Sequence, residues 1–258
     1  MSHSRSLMSL EGRTALITGA SGSIGHAIAR ALAEAGARIA IHYHRGREPA
    51  ARLRESLPGD GHLLIAADIA EATSVERMIA TAVDSWQRLD ILVNNAAIYE
   101  SHPVAETSYD EWQRVWERVV GVNLLGAANA CYCAARQMIA QGEGRIINIG
   151  SRGAYRGEPG MTSYGATKAA LHALSQSLAQ ELAPYNIYVT AVAPGFVEGG
   201  MATEALIGDR GAAIRAQSPF NRVARPEEVA HVVRFLAAPG SEWLAGAVID
   251  LNGASYLR

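Results

Sequence analysis

Tyr164 and Lys168 carry the first chemical suggestion in this chain of 258 residues. They stand four apart in Tyr164-Gly165-Ala166-Thr167-Lys168. Residues i and i+4 share one face of a helix, so a phenol and an ammonium meet there as a candidate acid/base pair. The lysine is alone in the sequence, against 22 arginines. Arginine is a wide planar fork that stays charged, whereas lysine is a compact ammonium whose pKa moves on burial. A chain that meets nearly every need for positive charge with arginine has kept lysine at this one place.

Further polar residues collect where apolar runs end. The first run closes in Thr18-Gly19-Ala20-Ser21-Gly22-Ser23-Ile24-Gly25 and enters a helical pattern. Glycines at such a junction let the backbone turn tightly and approach a phosphate, and the helix start offers free N–H groups to an anion. Asp68 follows the third run, Asn94-Asn95-Ala96-Ala97 the fourth, Ser151 the fifth and Pro194-Gly195 the sixth. In open parallel sheets, ligands bind beyond the carboxyl ends of the strands, so these groups are expected around one cleft.

The runs read as strands over 14–18, 38–43, 63–67, 89–93, 145–149, 187–193 and 247–250, and helical patterns over 24–35, 74–86, 109–140 and 168–183. Leu171, Leu174, Leu178 and Leu182 recur at helical spacing. Continuous apolar strands alternating with helices predict an α/β fold with a doubly wound parallel sheet. One domain over 13–258 is expected after a flexible tail over 1–12, in which Met8 is a second candidate start. The irregular stretch over about 196–225 is read as a lid, because long irregular insertions in compact domains are usually functional. Trp112 and Trp116 fit either core or interface.

Hydrophobic residues make up 49% of the chain and charged ones 19%, the balance of a soluble globular protein. A net charge of −2 gives no electrostatic argument for nucleic acid or an anionic membrane. No apolar run is long enough to span a bilayer, and the start lacks the apolar stretch of a signal peptide, so a cytoplasmic location is expected. Cys131 and Cys133 read as small buried residues rather than a disulfide framework. No metal site is expected.

Over Gly12 to Gly253 the chain resembles the short-chain dehydrogenase/reductase family. The resemblance rests on the glycine turn over Thr18 to Gly25, Asn94 to Ala97, Asn123 in Val122-Asn123-Leu124, Ser151, and Tyr164 with Lys168. It implies a Rossmann-type single domain of about seven strands. It also implies a nicotinamide cofactor, a homotetramer, and a small ketone or alcohol as substrate. Tyr164 is then the acid for reduction and the base for oxidation, its pKa lowered by Lys168 and by the positive nicotinamide, and Lys168 also holds the ribose. Ser151 holds the substrate oxygen, and Asn123 a water that relays protons. The cofactor is expected against Gly19, Ser21, Gly22, Ser23, Ile24, Gly25, Tyr43, His44, Arg45, Asp68, Ile69, Asn95, Ala96, Tyr164, Lys168, Pro194, Gly195 and Val197.

Three positions depart from the family's pattern: Ser23 replaces its middle glycine, Gly199 its usual threonine, and Asp250-Leu251-Asn252-Gly253 a common Asp-Gly-Gly. At the end of the second strand Tyr43 stands where NAD enzymes usually carry a carboxylate, and Arg45 follows. This favours NADP(H) over NAD(H). The chain is similar overall to 3-oxoacyl-carrier-protein reductases, but Gly142 and Tyr185 occupy positions where those carry basic residues. The leading expectation is an NADP-dependent carbonyl reductase. The alternatives are an NAD-dependent alcohol or sugar dehydrogenase, a carrier-protein reductase and, below these, a non-catalytic cofactor-binding protein. Arg152 and Arg156 read equally as substrate contacts or as surface residues, and Val104 and Tyr99 as apolar wall.

Overall fold

Seven strands form one parallel sheet in the computed structural model, which describes residues 8–258. They are β1 (Thr14–Ile17), β2 (Arg38–Tyr43), β3 (Leu63–Ala66), β4 (Ile91–Asn94), β5 (Gly144–Ile149), β6 (Ile187–Pro194) and β7 (Val248–Leu251). Their spatial order is β3-β2-β1-β4-β5-β6-β7. The order reverses between β1 and β4, and the loops leaving those two strands diverge to opposite faces, which opens a crevice at their carboxyl ends.

Successive strand residues point to opposite faces, so each face buries its own set. Ile17, Ile41, Val93, Ile147 and Val192 pack with Ile28 and Leu32 of α1 (Ser23–Glu34), Leu53 of α2 (Arg47–Ser56) and Val229 and Val233 of α8 (Pro226–Ala237). Leu16, Leu92, Ile146 and Val189 pack on the other face. Their partners include Val75 and Met78 of α3 (Ala72–Trp86) and Ala134 and Met138 of α5 (Ala127–Gln141). Cys131 belongs to this second core, and both cysteines are free.

The expected helix over 109–140 is divided. It comprises α4 (Tyr109–Val120), a π-helical stretch (Gly121–Gly126) and then α5. The helix expected from Lys168 starts earlier, as α6 (Thr162–Leu182), so Tyr164 and Lys168 do lie on one helix. Its first turn, Thr162-Ser163-Tyr164-Gly165, lacks the apolar periodicity that marks the rest. The strand expected at 89–93 pairs only from Ile91 and extends to Asn94. Leu10, inside the stretch read as a tail, is 1% exposed and its N–H bonds the Ala35 carbonyl at 2.7 Å. The packed domain therefore begins before residue 13; residues 1–7 of the expected tail lie outside the described residues.

The segment over 196–225 carries short helical turns and α7 (Gly208–Arg215). It builds a small core of its own from Ala205, Ile214 and Val223 with Phe196 and Leu206 against it. Val197 pairs with Ala224, which ties the two ends of the segment together. No helix among the described residues is long and apolar enough to cross a membrane.

Candidate active site

A cleft of about 770 Å³ opens at the carboxyl ends of the strands. Every expected site residue lines it except Asn123 and Tyr43. Tyr43 instead packs against the core under α1. The strand alternates, so the residues on either side of it, His42 and His44, take the cleft face.

At the glycine turn, Gly19 has φ +64, and a Cβ there would lie 3.0 Å from the Ala96 Cα. A Cβ on Gly25 would fall 2.5 Å from the Gly19 carbonyl. Both positions therefore exclude a side chain. The N-cap of α1 is Gly22, with no side-chain cap and no acid in the first turn. Its N–H groups and positive dipole end are left to an anion.

Neighbouring strands hold this turn. Thr18 Oγ1 accepts the N–H of Asn95 at 2.9 Å and of Ala96 at 3.0 Å. Asn95 Nδ2 donates to the carbonyls of Thr18 and Gly19 at 2.9 and 3.1 Å. His42 is a member the sequence reading did not pick out. Its Nδ1 accepts the Gly19 N–H at 3.0 Å, so Nε2 carries the proton toward Ala67 O at 3.1 Å. Burial lowers its pKa and keeps the ring neutral, as that accepting role requires.

At the other end stand the phenol and the ammonium. Lys168 is 2% exposed and its Nζ donates to the Ile149 carbonyl at 2.7 Å. That nitrogen lies 5.7 Å from the Tyr164 ring centroid. Burial pushes the Lys168 pKa down to about 8. Burial pushes the Tyr164 phenol up to about 12; a hydrogen bond with Ser151 pulls the other way and the Glu158 carboxylate adds to the rise. In the protein by itself, without a nicotinamide, desolvation is the largest effect on the phenol. Ser151, at the end of β5, accepts the Gly153 N–H at 2.9 Å.

Asn123 is 1% exposed in the π-helical stretch, a distortion often found at functional sites. Its Oδ1 accepts the Ile98 N–H at 2.8 Å and its Nδ2 donates to the Ile98 carbonyl at 2.9 Å. The side-chain amide is therefore committed to the segment after β4. These bonds fix the cleft wall at Ile98. A second buried chain lies beneath: Asn94 Nδ2 donates to Asn148 Oδ1 at 2.8 Å, and Asn148 Nδ2 to Ser175 Oγ at 2.8 Å.

The substrate end of the cleft adds Tyr99, Arg152 and Glu158. Tyr99 meets Tyr164 edge to face at 4.8 Å between centroids. Arg152 is 3% exposed, and Arg156 donates to the Ser255 carbonyl at 2.9 Å, away from the cleft. Val104 is 76% exposed and is not part of the wall.

Two of the three departures from the family's pattern touch each other. Ser23 Oγ donates to the Glu198 carbonyl at 3.1 Å and so links the start of α1 to the segment over 196–225. Gly199 has φ +78, and a Cβ there would lie 3.0 Å from Ser23 Oγ. Restoring threonine by Gly199→Thr should lower the melting temperature by several degrees, from backbone strain and this clash. Adding Ser23→Gly should recover only the part due to the clash. Thermal unfolding of the single and double variants measures both, and full additivity would show that the two positions are independent.

Residues 19–253 match the family model described as enoyl-(acyl carrier protein) reductase. The chain is 37% identical over 247 residues to a 3-oxoacyl-[acyl-carrier-protein] reductase of Staphylococcus aureus, covering 95% of this chain and 98% of the relative. It is 36% identical over 250 residues to the enzyme of that name in Vibrio cholerae, covering 97% and 100%. A crystal structure of a dehydrogenase/reductase from Sinorhizobium meliloti matches with a TM-score of 0.91 at 34% identity, over 98% of each chain. A short-chain dehydrogenase/reductase of Serratia marcescens matches with a TM-score of 0.88 at 32% identity, over 95% and 98%. With its glycine turn at the β1–β4 crevice and its Tyr–Lys pair on α6, the chain belongs to the short-chain dehydrogenase/reductase family, oxidoreductases that interconvert CH–OH and ketone groups.

Proposed function

We propose that the protein transfers a hydride between NADP(H) and a small ketone or secondary alcohol, with Tyr164 as general acid in reduction and general base in oxidation. The observation that carries this reading is the convergence of Tyr164, Lys168 and Ser151 at one end of a cleft whose other end is an uncapped helix start. The donor set suits a dinucleotide: N–H groups at Ser23 and Ile24, at the uncapped start of α1, for the pyrophosphate, and the Lys168 ammonium for ribose hydroxyls. When bound, the nicotinamide group supplies or takes up the hydride.

The chain's own residues handle the proton. A phenol held near 12 is fully protonated at neutral pH and ready to give its proton to a developing alkoxide. Ser151 steadies the same oxygen by a hydrogen bond. The phenolate left behind faces the Lys168 ammonium, whose charge offsets the desolvation that otherwise holds the proton on Tyr164. Asn123 keeps the wall at Ile98 in register with this group.

The exposed His44 and Arg45 at the end of β2 support NADP(H), because Arg45 offers charge-assisted hydrogen bonds to a 2′-phosphate. NAD(H) is the second reading, favoured by the absence of a basic residue at Gly22. The named relatives reduce 3-oxoacyl groups on a carrier protein, yet Gly142 and Tyr185 offer no basic dock for an acidic carrier. A small free substrate fits better. The exposed Tyr109, Leu125 and Tyr132 on α4 and the helical stretch after it support association into a homotetramer. The segment over 196–225 serves as the lid.

NADPH absorbance followed with a panel of ketones tests the class: turnover is expected, and inactivity with cofactor bound contradicts it. Lys168→Arg should lose at least about 100-fold in kcat while still binding dinucleotide, since the fork is too wide for the site under Ile149. An arginine variant with near wild-type turnover contradicts the role of Lys168. Arg45→Ala should raise KM for NADPH roughly tenfold and leave that for NADH unchanged. Equal effects on both cofactors would remove the argument for NADP(H).

A further inference from the structure

We infer that Glu158, held between Tyr99 and Arg152 beside Tyr164, is a specificity-determining residue that accepts a hydrogen bond from a substrate hydroxyl next to the reacting carbon. The substrate class is then a neutral hydroxyketone or polyol. This rests on the ketone and alcohol chemistry proposed above and adds to it the group that the substrate carries beside the reacting carbon.

Glu158 sits in the loop between Ser151 and α6, where its own carbonyl accepts the Met161 N–H at 3.1 Å. Its side chain is 19% exposed and lines the cleft. One carboxylate oxygen, Oε2, accepts the Tyr99 hydroxyl at 3.1 Å. The other, Oε1, is 3.5 Å from Arg152 Nη2, beyond a good hydrogen bond. A carboxylate oxygen accepts more than one hydrogen bond, so this long ion pair leaves Oε1 able to take a further donor. Its charge lies close enough to Tyr164 to act on the phenol.

Arg152 is not itself available to the substrate. Its Nη1 donates to Gln217 Oε1 at 3.0 Å and to Ser255 Oγ at 2.7 Å, and its guanidinium lies over the Phe196 ring at 5.4 Å. These contacts fix it as the backing that orients Glu158. The charge of Glu158 is thereby opposed, and that of Glu100 is opposed by Arg118 at 2.7 Å. Neither carboxylate calls for a cationic substrate, and a carboxylate substrate would meet Glu158 as a like charge. An acyl chain pressed here would strip water from Oε1 and return no donor. A neutral hydroxyl satisfies Oε1, and a site built that way rejects the analogue lacking the hydroxyl.

The test compares kcat/KM with NADPH for hydroxyacetone and for acetone in wild type, Glu158→Gln and Glu158→Leu. Wild type should prefer hydroxyacetone, and Glu158→Leu should cut that preference roughly 10- to 100-fold. Glu158→Gln retains shape and an acceptor oxygen for Arg152, and it should cut the preference less; it carries the test alone if the leucine variant does not fold. The ratio within each protein cancels any general damage. An equal preference in wild type and variants overturns the inference, as does acetoacetyl thioester outrunning both ketones in wild type; either result leaves the Tyr164 chemistry standing. Absence of turnover with every ketone overturns that chemistry and the inference together.

Discussion

Taking one ammonium out of water constrains the whole site. Lys168 is 2% exposed, and its Nζ donates to the Ile149 carbonyl at 2.7 Å. Isolated charges are not buried without partners, so the end of β5 must present that carbonyl and α6 must bring the side chain beneath it. The neighbouring residues comply. Gly150 has to be glycine, because a Cβ there would fall 1.9 Å from Nε2 of His172, one turn beyond Lys168. The same desolvation lowers the lysine pKa to about 8 and raises that of Tyr164 to about 12, so at neutral pH the phenol stays neutral and the ammonium still keeps most of its charge. Neutral phenol beside buried ammonium is a state ready to donate a proton and to stabilise what remains.

The opposite end of the cleft solves a different problem. It must bring backbone close to an anion without closing the gap with side chains. Gly19 and Gly25 clear the space, and Thr18, Asn95 and His42 fix it from strands on either side. None of the three need touch a ligand to matter; each holds backbone in place, which is how preorganised sites are built. Ser23 then extends this frame to the segment over 196–225 through the Glu198 carbonyl. A departure at the turn and a departure at that segment are two sides of one contact.

Much of this was legible in the sequence because it is local. The Tyr164–Lys168 spacing encodes a shared helical face, the crowding of Gly and Ser after β1 encodes the turn, and strand–helix alternation encodes the doubly wound sheet. What escaped was set by packing. Asn123 reads as a reactive polar residue, and its bonds to the Ile98 backbone depend on the π-helical stretch, which has no periodic signature. Tyr43 and His42 are adjacent in sequence and opposite in space, so the residue that faces the turn depended on the strand's phase. The helix α2 buries only Ala50 and Leu53, too few apolar positions to show a period. Glu158 carries no local signal, since its meaning comes from Tyr99 and Arg152, remote in sequence or turned inward.

The balance of desolvation and charge at Tyr164 is open to direct measurement. Ultraviolet difference titration of the cofactor-free protein against Tyr164→Phe isolates that one phenol from the other tyrosines. Burial holding it near 12 predicts no ionisation assignable to Tyr164 at or below the ordinary tyrosine value of about 10. A Tyr164 phenolate already present near neutral pH would contradict it, and would mean that Lys168 alone outweighs the loss of water.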